Sequence, residues 1–497
     1  MRKRIVLLIF GLLTLEHAIC LDTRTPHVAV VGGGIGGASA SHFLTELTKG
    51  NLAIDLYEAK RIGGRLATVK IGDNEHEAGG SILHPMNMYM QRFVKLLGLE
   101  HNLPTQDTQM FGIWDKDRFV YKSDSWTIVS LIKLVYRYGF QVFKLNRDIR
   151  DIIGHFEKIY ELQDAGKSFE NITALMSAIN EEFLNCLQTS LKDRLLHMGY
   201  SRRLIDELAE AVVVVNYGQD IDVQSFTGLV SLAGTGADLW SVKGGNKRVP
   251  EGLIHGNKNI NVMSGRVRKI RYIAESSDNA RQYELTYTSK DNTYLTTAKY
   301  DIVIIAAPLT SDQEFPIEFA DFPKDLEFPG SYQTTHATFV KADVKPKYFG
   351  LRQSLDFILS CNPNKTIISS LGKVDSVDGS DEVGSPIWKI FSRKPLETGL
   401  VHGIFSNVIE KTTVVWKAYP HYLSNTTTRH SFKLHDALYH INAIEWVASA
   451  MEMSAIGGRN VAILAYDDFL RKNSLVSHRE TPKDGPKTPF EELYHCR

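Results

Sequence analysis

The stretch Val28-Ala-Val-Val-Gly-Gly-Gly-Ile-Gly-Gly37 decides the fold of this 497-residue chain. Its β-prone residues predict a short buried strand, and the small residues after Gly37 predict a helix. Between them, the spacing Gly32-x-Gly34-x-x-Gly37 allows a tight turn, close approach of a pyrophosphate to the backbone, and close helix–strand packing. The helix N-terminus adds free N–H groups and a partial positive charge. The sequence therefore predicts a dinucleotide-binding unit.

A carboxylate and a second glycine pair follow this motif. The next predicted strand, residues 53–57, ends at Glu58, where dinucleotide-binding domains place the acid that binds a ribose. Gly63-Gly64-Arg65 comes next, and a plain NAD site does not need it. The order resembles flavoproteins of the amine oxidase and phytoene desaturase superfamily. That resemblance implies non-covalent FAD, with Arg65 closing over its phosphates and residues 77–81 close to the flavin.

Length and charge limit the remaining possibilities. The chain is far longer than one nucleotide-binding unit, so a second domain is expected. Its 57 basic residues balance its 57 acidic residues, which argues against nucleic acid or another polyanionic partner. We expect no metal site, because His76-Glu77 is followed by Ala-Gly-Gly rather than by the second histidine that a zinc-binding helix needs.

The N-terminus predicts a cleaved secretory signal peptide, residues 1–20. Three basic residues precede an apolar run at residues 5–15, which is shorter than the roughly 20 residues of a membrane span. An uncleaved anchor is the alternative. Three glycosylation sequons agree with a luminal protein, and they begin at Asn171, Asn364 and Asn425. The mature chain would keep three cysteines, too few for a disulfide framework.

We predict an α/β fold in which a two-dinucleotide-type, FAD-binding Rossmann domain is interleaved with an α+β substrate domain. The FAD-binding domain comprises residues 24–85, 225–310 and 430–470. The substrate-binding domain comprises residues 86–224 and 311–429, and residues 471–497 form a polar tail. Residues 86–215 read as mostly helical, whereas residues 262–270, which include Val267, read as a strand passing the adenine.

The segment 131–145 combines aromatic and aliphatic residues with Lys133, Arg137 and Lys144. A basic amphipathic stretch could lie on a membrane surface. The alternative, which we favour from the sequence, is a helix that faces the core and exposes its lysines.

The C-terminal segment returns to the cofactor. Residues 439–445 predict a strand, and Ser449-Ala-Met-Glu452 predicts the start of a helix that runs to about residue 470. Ser-x-x-Glu is a capping-box pattern, in which Ser449 accepts an orphan N–H and Glu452 reaches back to the cap residue. In flavoproteins of this build, such a helix points its N-terminus at the flavin and stabilises negative charge there. A purely structural helix is equally compatible with the local sequence.

Several longer stretches resemble the prenylcysteine oxidase family. They lie at residues 77–85, 215–219, 239–247, 418–421 and 449–455. The similarity extends over residues 27–470, and a prenylcysteine-oxidase-like branch shares many of these motifs.

The resemblance implies a glycosylated, FAD-dependent thioether oxidase, lysosomal and also compatible with secretion. Its substrates would be farnesyl- and geranylgeranyl-cysteine from degraded prenylated proteins, with O2 as the acceptor. The products would be cysteine, an isoprenoid aldehyde and hydrogen peroxide. Peripheral membrane or lipoprotein association is compatible with such a lipid substrate. The alternatives are a related FAD oxidase acting on amines, and a secreted lipid-carrying paralogue with altered substrate or lost activity. Against amines, the sequence shows no aromatic pair at the C-terminal flavin segment.

The candidate residues follow from these motifs and this resemblance. Those expected to bind FAD are Gly32, Gly34, Gly37, Glu58, Gly64, Arg65, Gly79, Gly80, Val267, Glu445, Ser449, Met451 and Glu452. Those expected to line the substrate or flavin, with core packing as the alternative, are Tyr217, Trp240 and Asn246. No catalytic base is identifiable. His84 is the only candidate to activate water, and a buried structural histidine is the favoured interpretation.

Overall fold

The computed structural model describes residues 25–103, 109–235, 237–273, 282–289, 292–380, 384–424 and 430–472. The predicted signal peptide, almost all of the predicted polar tail and the sequon at Asn425 lie outside these residues. Among the described helices, none combines the length and the apolar character needed to cross a bilayer.

The strands and helices are numbered in chain order. The strands are β1 His27–Val31, β2 Ala53–Glu58, β3 Thr68–Ile71, β4 Asn74–Glu77, β5 His101–Asn102, β6 Phe111–Trp114, β7 Phe119–Lys122, β8 Ser241–Val242, β9 Ile260–Tyr272, β10 Tyr283–Ser289, β11 Asn292–Tyr300, β12 Ile302–Ile305, β13 Glu318–Ala320, β14 Tyr332–Val344, β15 Phe357–Ser360, β16 Ile368–Lys373, β17 Ile387–Ser392, β18 Phe405–Pro420, β19 Lys433–His435 and β20 Leu438–His440. The helices are α1 Ile35–Leu47, α2 Met88–Leu96, α3 Thr127–Tyr138, α4 Gln141–Phe156, α5 Lys158–Asp164, α6 Ile172–Ile179, α7 Glu182–Gln188, α8 Leu191–His197, α9 Glu210–Tyr217, α10 Ser225–Ala233, α11 Arg248–His255, α12 Thr398–Ile404 and α13 Met451–Lys472.

The first sheet carries the glycine motif. In the described residues its strand order is β11-β10-β9-β2-β1-β12-β20-β19, and β13 pairs with β9. Strands β9, β2, β1, β12 and β20 run parallel, so their carboxyl ends meet at one edge. The apolar runs of β1 and β12 are buried, as expected for parallel strands covered on both faces. The predicted Rossmann-type α/β fold is therefore confirmed.

Helices α1 and α13 pack against each other beside this sheet. Small residues permit the close approach: a Cβ on Gly458 would lie 2.7 Å from the Gly36 carbonyl oxygen. The Ser39 hydroxyl donates to the Ala455 carbonyl across the contact, at 2.9 Å. The C-terminal helix is thereby held against the helix that begins the glycine motif, although more than 400 residues separate these two hydrogen-bonded residues along the chain.

The second sheet supplies the other layer. Its order in the described residues is β18-β14-β17-β16-β15-β6-β7, antiparallel except for the parallel β15–β6 pair. Its strands fall within the two ranges predicted for the substrate domain. Strand β13 departs from the prediction, because it lies within residues 311–429 but pairs with β9 in the first sheet. Strands β6 and β7 also interrupt the region predicted to be mostly helical.

Two further expectations need correction. Residues 439–445 do not form one strand: β20 ends at His440, and a 3-10 helix covers Ile441–Trp446. Residues 131–145 do not form one helix, because α3 ends at Tyr138 and α4 begins at Gln141; their inner side packs on the core as expected, but much of the apolar surface on the outer side is exposed. Hydrophobic periodicity could not decide this, because it shows which residues share a face and not what covers that face.

Gly37 offers a test of the fold. An added Cβ would lie 2.0 Å from the Gly32 carbonyl oxygen, so we expect Gly37→Ala to destabilise the protein by at least about 2 kcal/mol. The matched control is Gly154→Ala within α4, where nothing lies within 4 Å of an added Cβ. That control should gain roughly 0.5–1 kcal/mol from helix propensity. Urea unfolding followed by circular dichroism measures both, and equal effects would contradict the proposed close packing.

Candidate functional site

The first glycine loop connects β1 to α1 at the carboxyl edge of the first sheet. Gly32 adopts a φ of +116°, and an added Cβ would lie 2.6 Å from the Ala306 carbonyl oxygen. Gly34 precedes the first residue of α1, and no side chain caps the helix. A Cβ on Gly34 would meet only the Gly63 carbonyl oxygen, at 3.9 Å. The helix N-terminus therefore presents open space and backbone N–H groups, as a diphosphate requires.

Glu58 lies beside this loop at the end of β2. Its Oε2 accepts a hydrogen bond from the Gly33 N–H at 2.8 Å, and its Oε1 accepts one from the Lys60 N–H at 2.8 Å. These contacts orient the carboxylate next to the helix N-terminus. The position matches the ribose-binding role predicted for it, since this acid in dinucleotide sites stands at the end of the second strand.

The second glycine pair docks directly on the first loop. The Gly63 N–H donates to the Gly33 carbonyl at 2.9 Å, and Gly63 and Gly34 form a β-bridge. Gly63 and Gly64 both have positive φ, at 101° and 57°. The two glycine motifs therefore form one continuous backbone surface.

Arg65 and Glu445 form an ion pair in which the carboxylate is buried and the guanidinium side chain is about one-third exposed. The guanidinium contacts both carboxylate oxygens and donates to the Ala418 carbonyl at 2.8 Å. The Glu445 side chain is 1% exposed, and it also accepts from the Tyr332 hydroxyl at 3.0 Å and the Asn442 amide at 2.7 Å. Burial lowers the pKa of Arg65, but the Glu445 carboxylate outweighs this and holds that pKa above its ordinary value. The structure thus brings together Arg65 and Glu445, two residues that were expected to bind FAD, and the Arg65 guanidinium binds the Glu445 carboxylate.

The Gly79–Gly80 turn requires glycine because it packs against the Arg65 backbone. A Cβ on Gly79 would lie 1.8 Å from the Arg65 carbonyl oxygen, and the Gly80 N–H donates to that oxygen at 3.1 Å. The Asn246 amide donates to the Gly80 carbonyl at 2.9 Å. A Cβ on Gly80 would lie 3.6 Å from Met451, the first residue of α13. The turn therefore lies between the Arg65 loop and the N-terminus of the C-terminal helix.

Asn246 holds this turn by its side chain. Its Oδ1 accepts from the Val242 N–H at 2.8 Å, and its backbone N–H donates to Glu77 Oε1 at 2.6 Å. Burial raises the pKa of Glu77 to about 7, and the Asn246 hydrogen bond opposes this. Asn246 thus holds the Gly79–Gly80 turn through its side chain amide.

Lys389 is a residue that the sequence analysis missed. Its ammonium group is buried and donates to the Glu77 carbonyl at 2.8 Å and to the Ser81 hydroxyl at 3.0 Å. Burial lowers its pKa to about 8, and the Glu77 carboxyl opposes this shift. Strand β17, which carries Lys389, contains no motif that marks the lysine, so only the packing of the second sheet on the turn reveals it.

Three tyrosines surround the predicted segment at Ser449. The Tyr217 ring packs edge-on against Tyr419 and Tyr422, with centroids 5.1 and 5.4 Å away. The Tyr422 hydroxyl accepts from the Ser449 N–H at 2.8 Å, and the Tyr217 hydroxyl donates to the Ser449 carbonyl at 3.4 Å. The expectation that the C-terminal flavin segment itself carries no aromatic pair of the kind amine oxidases use stays a prediction, because these tyrosines come from other segments of the chain. The residues 418–421 motif contained one of the tyrosines, but their convergence is tertiary.

The predicted capping box is also wrong. Helix α13 begins at Met451, and the Glu452 carboxylate points away from Ser449. It accepts from the Tyr89 and Met90 N–H groups at 2.7 and 3.0 Å, so it caps α2 from a different helix. Burial raises the pKa of Glu452 to about 7 against these hydrogen bonds. Serine and glutamate at this spacing have the cap pattern, but the tertiary partner of Glu452 outcompetes the local one.

His84 and Trp240 belong to one structural contact. The His84 Nδ1 accepts the Met86 N–H at 3.1 Å, and the Trp240 indole donates to the His84 carbonyl at 3.2 Å. The Trp240 ring stacks on His101 at 4.1 Å. Burial lowers the pKa of His84, which favours the neutral imidazole. These contacts agree with the structural interpretation of His84.

The remaining predicted residues lie at the periphery. Val267 is buried in β9 beyond the residues that pair with β2, and its register partner is Tyr287 of β10. Asn171 caps α6 through its Oδ1, which accepts the Ala174 N–H at 2.9 Å and leaves its amide nitrogen for a glycan. Asn364 is exposed.

These observations fit a bound dinucleotide. The open backbone at Gly34, the uncapped α1 and Glu58 would hold the adenosine diphosphate half. The Gly79–Gly80 turn and the N-terminus of α13 would hold the flavin half.

The Arg65–Glu445 pair can be tested by a double-mutant cycle. Because Glu445→Ala would leave the Arg65 guanidinium, the Tyr332 hydroxyl and the Asn442 amide without their carboxylate partner, we expect a loss of about 2 kcal/mol in the free energy of unfolding. Arg65→Met combined with Glu445→Ala should lose less than the sum of the losses of these two single variants. Chemical unfolding measures the cycle, and strictly additive losses would contradict a coupled pair.

Glu452 predicts a pH-dependent stability. Its raised pKa means that folding retains a proton that the unfolded chain loses above about pH 4.5, so its contribution declines from there to about pH 7. The difference in the free energy of unfolding between Glu452→Gln and the wild type should therefore change in favour of the variant as the pH rises from 5 to 8, by on the order of 2 kcal/mol. The control is Glu314→Gln, an exposed carboxylate paired with Lys60, and its difference from the wild type should not change comparably with pH. Urea unfolding at both pH values measures this, and a pH-independent difference for Glu452→Gln would refute it.

Two family descriptions each match part of the chain, and known proteins align with nearly all of it. The prenylcysteine lyase family matches residues 121–478, and the NAD(P)-binding Rossmann-like domain matches residues 30–97. Prenylcysteine oxidase 1 of Mus musculus is 36% identical, and the alignment covers 96% of each chain. Prenylcysteine oxidase 1-like of Homo sapiens is 32% identical and covers 92% of this chain and 94% of the relative.

Solved structures give the fold. A redesigned triple mutant of putrescine oxidase superposes with a TM-score of 0.55 at 13% identity, covering 89% of this chain and 99% of that one. The wild-type putrescine oxidase bound to putrescine gives a TM-score of 0.53 at 13% identity. This similarity confirms the predicted amine-oxidase-like architecture. Because the family match covers most of the chain and the relatives align over nearly all of it, this protein belongs to the prenylcysteine lyase family.

Proposed function

We propose that this chain is an FAD-dependent thioether oxidase that cleaves farnesyl- or geranylgeranyl-cysteine. The observation that carries the proposal is the alignment with prenylcysteine oxidase 1 over 96% of both chains, because it includes every segment of the site. The open first glycine loop and the Gly79–Gly80 turn against α13 support the cofactor. The products are cysteine, the isoprenoid aldehyde and hydrogen peroxide, with O2 as the electron acceptor.

The chemistry asks little of the protein beyond positioning. Bound FAD supplies a hydride acceptor for the allylic carbon next to sulfur, where sulfur and the double bond stabilise the cation that remains. Water adds to that carbon, a proton leaves, and the hemithioacetal collapses to the aldehyde and the cysteine thiol. O2 takes up the two electrons and two protons as hydrogen peroxide. Because the reacting bond is already activated, orientation and the exclusion of side reactions are the main demands.

The chain's own residues meet these demands in different ways. The glycine loops and Glu58 hold the nucleotide end, and the Arg65–Glu445 pair fixes the second loop against the C-terminal segment. Asn246 fixes the Gly79–Gly80 turn. Tyr217, with its neighbouring tyrosines, provides a rigid aromatic wall beside Ser449 that suits an isoprenoid chain.

The same site suggests a lumenal, acidic setting. Burial raises the pKa of both Glu77 and Glu452 to about 7, so each favours the folded state most at low pH. Asn364 is exposed, and the amide nitrogen of Asn171 is not needed for its cap. Together with the predicted signal peptide, these features support a glycosylated lysosomal enzyme, and secretion is compatible with the same signal.

Amine oxidation is the second candidate. The observation that favours it is the cluster of Tyr217, Tyr419 and Tyr422 beside Ser449. The alignment with the prenylcysteine oxidases favours the thioether, since the putrescine oxidase structures are only 13% identical and indicate the fold alone.

The test is an anaerobic absorption spectrum of the purified flavoprotein before and after addition of farnesylcysteine. We expect the flavin band to bleach, and admitting air should restore it with release of hydrogen peroxide and farnesal. Putrescine is the comparison substrate. Bleaching by putrescine and not by farnesylcysteine would establish the amine alternative, and a colourless protein would indicate the lipid-carrying alternative.

A further inference from the structure

The helix α3 and the start of α4 expose a continuous set of large apolar side chains. Tyr136 is 92% exposed, and Ile128 and Ile132 are 71% and 63% exposed. We call this set the apolar face; it consists of Trp126, Ile128, Val129, Leu131, Ile132, Tyr136, Phe140 and Phe143. Isolated apolar side chains are normal on a protein surface, but a contiguous set of this size marks an interaction site.

The apolar face is held in place by the opposite side of the same helix. Tyr138 is buried, and Arg137 donates to both carboxylate oxygens of Glu207 at 2.6 Å. At the other end, the Ser130 hydroxyl accepts from the Asp124 N–H at 2.7 Å, and the Tyr121 hydroxyl donates to the Ser130 carbonyl at 3.0 Å. The helix therefore already packs its inner side on the protein, and the outer side is presented without a cover among the described residues.

Basic residues surround the apolar face. Between residues 122 and 150 the chain has six Lys and Arg and two Asp and Glu, and because Glu207 pairs with Arg137 the formal excess is three positive charges. Two of the basic groups, Lys133 and Lys144, form surface ion pairs with Asp124 and Asp148. Arg147 and Arg150 are exposed on α4. A local positive charge of this kind complements an anionic surface.

We propose that the apolar face inserts into the interface of an anionic lipid membrane. Aromatic and aliphatic side chains on one side of a helix, with Lys and Arg at its margins, are the pattern of helices that lie in the headgroup region. Protein interface cores, in contrast, are depleted of lysine, whereas Lys133 lies within the sequence of this face. The occupant is therefore a lipid surface, not a second copy of the chain or another protein.

The position of the apolar face determines which domain would lie on the membrane. Helix α4 packs on α10, and at the start of that helix Gln224 and Thr227 hold the Val447 carbonyl near the predicted flavin segment. Docking through α3 would therefore place the predicted substrate domain on the bilayer. If the proposed function holds, a prenylated cysteine dissolved in that bilayer is presented to the same domain.

The experiment measures binding without any substrate, so its outcome does not depend on the proposed function. Full-length protein is floated with vesicles of phosphatidylcholine and phosphatidylserine in a ratio of roughly four to one, and with phosphatidylcholine alone. We expect binding to the anionic vesicles that weakens with added salt. Ile128→Ser with Ile132→Ser should lower the partition coefficient by about tenfold or more, because each loses an inserted aliphatic side chain.

The matched control is Leu295→Ser with Ile409→Ser, two aliphatic residues that are 66% and 65% exposed elsewhere. This variant should bind like the wild type. Arg147→Glu with Arg150→Glu should bind the anionic vesicles less and phosphatidylcholine alone about equally. The proposal is overturned if the wild type does not float, or if both serine variants lose binding equally. Light scattering of the lipid-free protein adds a further check: a dimer that only Ile128→Ser with Ile132→Ser dissociates would assign the face to a second copy.

Discussion

The ion pair between Arg65 and the buried Glu445 carboxylate is the constraint on which the site depends. It joins the second glycine loop to the C-terminal segment across 380 residues, and the same guanidinium reaches the second sheet at the Ala418 carbonyl. A buried carboxylate is stable only when its charge is matched and its oxygens are hydrogen-bonded, and Tyr332 and Asn442 complete that requirement. The pair therefore favours the one arrangement in which three distant parts of the chain meet.

Close backbone contacts at three glycines are the second constraint on the site. Gly32, Gly37 and Gly79 each stand where an added Cβ would overlap a carbonyl oxygen. Carboxyl groups then hold the neighbouring backbone: Glu58 binds the first loop, Glu77 binds Asn246, and Glu452 caps α2. Because the site is built mostly from backbone held by these acids, it is pre-organised for a rigid cofactor. For two of the acids, Glu77 and Glu452, burial raises the pKa to about 7.

The apolar face of α3 shows the limit of pattern analysis. The sequence predicts an amphipathic segment that faces the core, and only one side of the segment does so. Periodicity predicts which side chains share one side of a helix, whereas only the packing of Tyr138 and Arg137 shows that this helix presents its other side outward. The capping box at Ser449 failed for a similar reason, because a backbone N–H of α2 takes the carboxylate that the local pattern assigned to α13.

The sequence by itself determined the Rossmann-type fold, the family and the glycine motifs, because these depend on local strand, turn and helix preferences and on spacings of a few residues. It also placed Glu58 correctly, since the end of the second strand is a position along the chain. Only the tertiary structure decided that Arg65 pairs with Glu445, that Lys389 lies on the Glu77 turn, and that three tyrosines gather at Ser449. Each of these contacts joins segments far apart in the chain, and the physical reason is burial: a charge or hydroxyl in the interior must find a partner, whichever segment supplies it.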